Sequence, residues 1–422
     1  MHEKLQELIT YTSEKFNLTD YELKRHHFFK EKHRLNETVY ILNMEWFPRE
    51  AIDEGDDFNP PGAISIDLDF HTKQLKDIVF VHGINRLEAN LPEADQIEAA
   101  IEWVEQESGL EFGRQFKLIN NDGTQLSFRA AADNIAVFPS GYIQLDFNEE
   151  GKLSQYSIHG TFPEEDKIRW EPFNLTSSQT ENIVKQQCTL FEIPIVDQEK
   201  WLNVYGVSAC FITNDGERII AFEEVENDFS YTPLQTTLHW ETIEERAFPA
   251  QDIDISTETT LEAALENKQP AESQHISEET QQNAISLVKA YLQSIKPEDS
   301  GKWKITSLRR EASYLFAELK LAAGESRVIN RKITIILDAA TLQPVNHVDN
   351  VALLETFQVF KEAKEAKLSL AEAFNTLFQY VEITPVYVYS KTEDMYKLCG
   401  KIDCDYAIDA TTGELITLDE LN

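Results

Sequence analysis

Asp405-Tyr-Ala-Ile-Asp-Ala-Thr-Thr-Gly-Glu-Leu-Ile-Thr-Leu-Asp-Glu-Leu-Asn422 decides the reading of this chain, because weaker copies of it occur upstream. It predicts a strand, a tight turn and a returning strand. Ile408 leads into Asp409, and Thr412-Gly413 supplies the backbone freedom a turn needs. Leu337-Asp-Ala-Ala-Thr341 repeats the start and runs on to Pro344-Val345. Leu145-Asp-Phe-Asn-Glu-Glu-Gly-Lys-Leu153 repeats it again, as does Leu68-Asp-Phe70 leading to Leu75. Self-similarity of this kind governs an architecture and has to be read before anything else.

A helix is expected ahead of each copy. Leu5, Leu8, Ile9, Thr12 and Phe16 share one helical face. In the second unit Pro92 suits a first helical position, Ile97, Ala100, Ile101 and Val104 make the stripe, and Gly109 is a fitting stop. Thr176-Ser-Ser-Gln179 has the pattern of a capping box and opens a third helix, with Val184, Cys188 and Phe191 inward. Ser277 opens a fourth, carrying Ala284, Val288, Tyr291, Leu292 and Ile295. Ser369-Leu-Ala-Glu372 opens a fifth, carrying Ala373, Phe374, Leu377 and Val381.

Between helix and hairpin the pattern alternates, as in Tyr40, Leu42, Met44 and Trp46, or Ile64, Ile66, Leu68 and Phe70. Period two with one polar face means an antiparallel sheet covered on one side. Asn121-Asp-Gly123 and Asn214-Asp-Gly216 predict hairpin turns. The fold class is therefore α+β: tandem repeats of one helix packed on a three- to four-stranded antiparallel sheet. The units run 1–90, 91–170, a degenerate 171–248, 277–350 and 351–422, with an acidic linker at 249–276. The degenerate unit centres on Phe211-Ile-Thr-Asn-Asp-Gly216 and Leu234–Trp240. The linker carries six acidic residues, one lysine and no aromatic, and Leu261 to Leu265 within it has the length of a short helix. This splits the chain into a three-unit and a two-unit half.

Composition sets outer bounds. The chain has 422 residues, 42% of them apolar, with 24 Phe and 14 Tyr, which is ample for buried cores. Its formal charge is −36, spread through every segment, and a surface of that sign repels phosphate backbones and anionic lipid. No basic start with an apolar core follows Met1, and no run of about 18 apolar residues occurs, so the expectation is a cytoplasmic protein without membrane insertion. Four cysteines in a chain of this size do not form a disulfide framework.

The stretch Ser369 to Asn422 resembles the PepSY-like repeated domains of Gram-positive bacteria. The resemblance rests on its helix, the strand Thr384-Pro-Val-Tyr-Val-Tyr389, the strand ending in Tyr406-Ala-Ile-Asp409, and Ala410-Thr-Thr-Gly-Glu-Leu415. Residues 277–350 look like a second, weaker member, and the first three units match in outline. The resemblance implies the helix-on-sheet unit and a binding, inhibitory or chaperoning role toward other proteins. It implies no catalytic residues.

Candidate chemistry is sparse. Asp69, Asp146, Asp338 and Asp409 occupy one place in their hairpins, where a carboxylate can accept N–H bonds from two or three residues on and set the turn. Asp146-x-Asn148-x-Glu150-Gly151 imitates the start of a calcium loop, but Ser157 stands where the bidentate Glu is required. Cys399 and Cys404 face opposite sides of a continuous strand, so shared metal ligation needs a bulge at Gly400, and no CxxC pair supports zinc. His26, His27 and His33 form the one histidine cluster and read as a solvated basic edge strand. Paired carboxylates such as Asp67/Asp69 carry little catalytic information in so acidic a chain. No nucleophile elbow, Walker loop, GxGxxG or zinc-protease motif occurs.

These observations favour a non-catalytic protein-binding or peptidase-modulating scaffold, without cofactor or metal, whose partner is another protein or an extended peptide. Tyr387, Tyr389 and Tyr396 are the expected contact residues. Two other readings stay open: a hydrolase or metal-dependent enzyme with a site between units, and an acidic decoy mimicking nucleic acid.

Overall fold

In the computed structural model, which describes residues 2–32, 38–51, 58–226, 231–241, 248, 250–268, 276–324 and 326–421, three hairpins close by the same bonds. Asp69 Oδ1 accepts the N–H groups of His71 and Thr72, both at 2.8 Å. Asp338 Oδ1 accepts those of Ala340 and Thr341, at 3.2 and 2.7 Å, and Asp409 Oδ1 those of Thr411 and Thr412, at 2.7 and 3.1 Å. The Thr three places after each Asp accepts the N–H two places further on. The residue after that Thr takes positive φ: 64° at Lys73, 58° at Leu342 and 81° at Gly413. Glycine enters that region freely, whereas Lys73 and Leu342 are held there by the closed bond network.

The chain is mixed α+β and mostly strand. Its first stretch runs α1 (Glu3–Lys15), β1 (Tyr21–Lys32), β2 (Thr38–Pro48), β3 (Ile64–Asp69) and β4 (Leu75–Phe80). A second helix and strand set follows as α2 (Ile97–Ser108), β5 (Phe116–Asn121), β6 (Gln125–Ala132), β7 (Ile135–Phe138), β8 (Tyr142–Phe147) and β9 (Leu153–His159). Then come β10 (Ile168–Arg169), α3 (Ser177–Gln187), β11 (Cys188–Ile195), β12 (Lys200–Val207), β13 (Cys210–Thr213), β14 (Ile219–Ile220), α4 (Phe222–Glu226) and β15 (Tyr231–Thr237). The middle holds β16 (Glu258–Thr259), α5 (Leu261–Glu266), α6 (Glu278–Ile295), β17 (Trp303–Glu311), β18 (Tyr314–Leu321), β19 (Lys332–Asp338) and β20 (Pro344–Asp349). The last stretch is α7 (Val351–Glu355), α8 (Leu370–Leu377), β21 (Glu382–Ser390), β22 (Met395–Asp403), β23 (Tyr406–Asp409) and β24 (Leu415–Thr417). These elements form two compact units: 1–171 with 256–270 and 386–397, and 172–255 with 271–385 and 398–422.

In the first unit, β1 to β4 form an antiparallel meander, and β5, β6, β8 and β9 form a second one. Strands β4 and β9 pair antiparallel, with Ile78 opposite Tyr156, so the two meanders make eight continuous strands. One face of this sheet is apolar. Leu42, Met44, Ile66, Ile78, Tyr156, Leu145 and Leu126 meet Leu5, Leu8 and Ile9 of α1 and Ala100, Trp103 and Val104 of α2 in a single core. Gly109 caps α2 in the left-handed conformation. The helix begins at Ile97 and leaves Pro92 outside. Residues 93 and 94 pair instead with the β8–β9 turn, through Glu93 opposite Lys152 and Ala94 N–H donating to Gly151 O.

The stretch read as an acidic linker, 249–276, is corrected for its described residues. Glu258 and Thr259 pair with Phe29 and Phe28 on β1, and α5 buries Ala264 in the first core. A free sheet edge and a short apolar helix face outweigh the local lack of aromatics.

In the second unit, α6 lies over the meander β17 to β20, burying Ala284, Val288, Tyr291 and Leu292 against Ile305, Leu319, Ile333 and Ile335. Strand β15 adds to the outer side of β17. Leu234–Trp240, expected in the third unit, thus belongs to the sheet of the fourth. A larger correction concerns 171–248 and 351–422, expected as separate units. The hairpin β11–β12 pairs with β23, and Cys210–Thr213 pair with Cys399–Ile402. Val184 of α3 and Phe374 and Leu377 of α8 share one core with Tyr205, Ile212, Ile402 and Ile408. Each segment leaves strands unpaired that the other completes, so they fold as one body. Capping boxes open both helices, at Thr176 with Gln179 and at Ser369 with Glu372. Among the described residues no helix is long and apolar enough to cross a membrane.

Candidate functional site

The turn bonds described above account for Asp69, Asp338 and Asp409, and the Thr341 hydroxyl and N–H hold Asp338 below the usual carboxylate range. Asp146 is different. It accepts from the side-chain amides of Gln125 and Gln144, while Asn148 Oδ1 takes the turn N–H groups of Glu150 and Lys152 at 3.0 Å. The β8–β9 turn closes one residue tighter, with Gly151 at φ 76°, so the capping position moves past Asp146 into the turn.

The tyrosines expected to meet a partner are buried: Tyr387 is 1% exposed, Tyr389 8% and Tyr396 1%. That expectation is corrected. Val386–Val388 pair in parallel with Ala136–Phe138, and Tyr396 and Lys397 with Ile168 and Arg169. Strand pairing on this hairpin directs the rings inward. The Tyr389 hydroxyl donates to Asp394 at 2.6 Å, and the Tyr387 ring meets Trp170 edge to face at 5.9 Å. Trp170, 49% exposed, is the aromatic that reaches the surface there. Beside it, a cavity of about 100 Å³ is lined by Glu111, Arg114, Gln115, Pro163, Glu165 and Ile168, with Arg114 paired to both glutamates.

All four cysteines are buried thiols. Burial pushes the Cys188 and Cys210 thiols up to about 11 and raises that of Cys404. Gly400 is closely packed: a Cβ there would stand 2.7 Å from Leu175 Cδ1 and 3.0 Å from Ile383 Cγ2, so those side chains would have to shift. His26 and His27 alternate along β1 and are both exposed, and His33 lies outside the described residues.

Sequence reasoning missed a polar row that crosses the whole first sheet. In register from β1 to β5 stand His27, Asn43, Asp67, Asp77, Ser157, Gln144, Ser127 and Asn120, one from each of the eight strands. The next row, on the opposite face, includes Met44, Ile66, Ile78, Tyr156, Leu145 and Leu126. Among the described residues, the helices of this unit all pack on that second face. Arg25, Glu45 and Ser65 on one side of Val79, and Gln155, Asp146 and Gln125 on the other, extend the polar surface by a further row.

Asp67 and Asp77 are its electrostatic centre. Burial raises Asp67 above its ordinary range, and an Asn43 Nδ2–H donating at 2.5 Å partly offsets this. Burial and then the Asp67 charge push Asp77 up to about 7, against a bond from Gln155. Glu31 and Glu45 add negative field, and His159 opposes it. Lys76, the neighbouring cation, is itself lowered by burial. Such a surface can accept donors and positive charge. No group of three or more His, Cys, Asp or Glu side chains placed for a metal ion occurs among the described residues.

No protein-family model matches this chain, and no curated protein matches it. Among solved structures, the Bacillus megaterium YpeB C-terminal domain is similar over 83% of this chain and 97% of that chain, with 9% identity and a TM-score of 0.25. A likeness of that size carries no argument about this protein.

Proposed function

We propose that this protein is a non-catalytic scaffold, built from PepSY-like repeats, that binds another protein through the helix-free face of its eight-stranded sheet. One observation carries the reading: the polar row with two carboxylates set directly opposite each other. Like charges across neighbouring strands destabilise a sheet, and folding gains nothing from them. Departures of that kind concentrate where function needs them. The partner that relieves this charge is a basic segment, whose lysine or arginine groups would find carboxylates already held by Asn43 and Gln155. Three stretches with the order helix and then a four-stranded antiparallel meander, 3–80, 97–159 (where β7 is inserted between β6 and β8) and 278–349, support the repeat reading.

A second reading rests on Asp77. A carboxyl group pushed up to about 7 beside a second carboxyl group is suited to general acid–base work. One comparison separates the two. Fluorescence anisotropy with lysine- and arginine-rich peptides should show binding that Asp67→Asn/Asp77→Asn abolishes, with no turnover of peptide, ester or phosphate substrates. Turnover lost in Asp77→Asn would replace the scaffold with an enzyme. Equal peptide binding by wild type and double variant would remove this face as the site.

A further inference from the structure

Strand β11 is an edge strand. It pairs with β12 along all eight of its residues, from Cys188 with Val207 to Ile195 with Lys200. Among the described residues, its other edge carries one bridge, Glu192 with Arg327 in parallel. Glu192 N–H donates to Ser326 O at 2.8 Å, and Val328 N–H donates to Glu192 O at 2.9 Å. A three-residue piece of the chain is thus received as an added strand.

The side chain between those two bonds is held as a ligand would be. The Arg327 guanidinium lies 4.3 Å from the ring centroid of Trp201, which is itself buried. Its Nε donates to Glu192 Oε2 at 2.8 Å and its Nη2 to Glu362 Oε2 at 2.5 Å. Phe357 and Phe360 stand against Trp201, at 5.5 and 6.3 Å between rings. Trp201 is in turn fixed by its N–H bond to Lys361 O at 2.8 Å. An aromatic platform with two flanking carboxylates suits a guanidinium better than an ammonium, because the planar cation stacks and forks at once.

The segment that supplies Arg327 is longer than its own hairpin needs. Strands β18 and β19 separate after the pair Lys320 and Lys332, and residues 322–331 join them. A hairpin closes with about two to five residues, and a longer loop is usually functional. Here the surplus length delivers one residue to an edge on which alternate residues face outward, with Leu190 and the Pro194 carbonyl on either side of Glu192.

We propose that the free edge of β11, with the seat formed by Trp201, Glu192 and Glu362, binds an extended peptide bearing an arginine, and that Ser326–Val328 is its internal occupant at rest. The peptide adds in parallel to β11 and its main-chain bonds extend beyond the single bridged residue. The tethered arm competes at high effective concentration, so the resting site is autoinhibited. This deepens the scaffold reading by giving it a peptide class. It uses residues separate from the Asp67 and Asp77 face, so either site can fail while the other stands.

The test uses a capped synthetic peptide of residues 322–331, Ala-Ala-Gly-Glu-Ser-Arg-Val-Ile-Asn-Arg, with the full-length protein. Arg327→Ala should bind it at least tenfold more tightly than wild type. Glu192→Gln/Glu362→Gln in that background, or citrulline in place of the peptide arginine that matches Arg327, should each lose at least tenfold. In wild type, the Val328 amide should exchange hydrogen faster than the β11–β12 amides. Equal binding by wild type and Arg327→Ala, indifference to citrulline, or a Val328 amide as protected as the strand interior would overturn the proposal. Failure of Arg327→Ala to fold would also overturn it, since the arm would then be part of the fold instead of a displaceable occupant.

Discussion

Asp67 on β3 stands directly opposite Asp77 on β4, and Asp77 in turn faces Ser157 across the junction with β9. The two carboxylates lie where the chain's first two helix-and-sheet stretches meet. They make the electrostatics of that junction depend on pH.

Asp77 binds its proton more tightly in the folded state, with a pKa of about 7 against an ordinary 3.8. Its contribution to stability is therefore present in acid and is lost as pH rises from about 4 to about 7. Asp77→Asn removes the ionisation. Urea melts should find that variant more stable than wild type at pH 8 by about 2 kcal/mol, after allowing for solvent screening, and no more stable at pH 4. An equal gain at both pH values would refute the electrostatic account.

The turns allow a sharper comparison. Asp338→Ala removes two N–H bonds and should lower stability by about 1–2 kcal/mol. In the β8–β9 turn the larger loss should come from Asn148→Ala, not Asp146→Ala, because Asn148 carries the turn bonds. Thermal melts of the three variants check this ordering.

Deleting 369–422 takes β23 away from β12, Cys399–Ile402 away from β13, and Phe374, Leu377 and Ile408 out of a shared core. The truncated chain should lose the cooperative melt of its second unit and expose 171–248 to limited proteolysis. Survival of 171–248 as a folded fragment would contradict the interleaved body.

The thiols give a fourth check. Cys188 and Cys210, buried and pushed up to about 11, should react with a disulfide reagent at neutral pH on the order of a hundredfold more slowly than after denaturation. Fast native labelling of either residue would mean that the core shared by 171–248 and 351–422 opens.

Local chemistry was legible in the chain. Capping boxes at Thr176 and Ser369, the Gly109 stop, the stripes of α1 and α6 and the turns at Asn121 and Asn214 depend on residues within a few places of each other, so composition and spacing determine them. The α+β class followed from the same periodicities. Strand partnership was not legible, because period-two alternation says which face a residue takes and nothing about which strand lies beside it. Hence β15 left its expected unit, the Tyr387 hairpin turned inward, and 171–248 met 351–422. The Asp67 and Asp77 pair shows the limit most plainly. Counting outward from the Asp69 turn sets Asp67 against Lys76, an opposite-charge pair, but a bulge after Leu75 shifts the register by one and substitutes Asp77. The same one-residue shift recurs in the β8–β9 and β19–β20 hairpins, so it belongs to the hairpin itself, whereas only the tertiary structure decided that β4 lies beside β9 and sets Asp77 against Ser157, because no local pattern names the neighbouring strand.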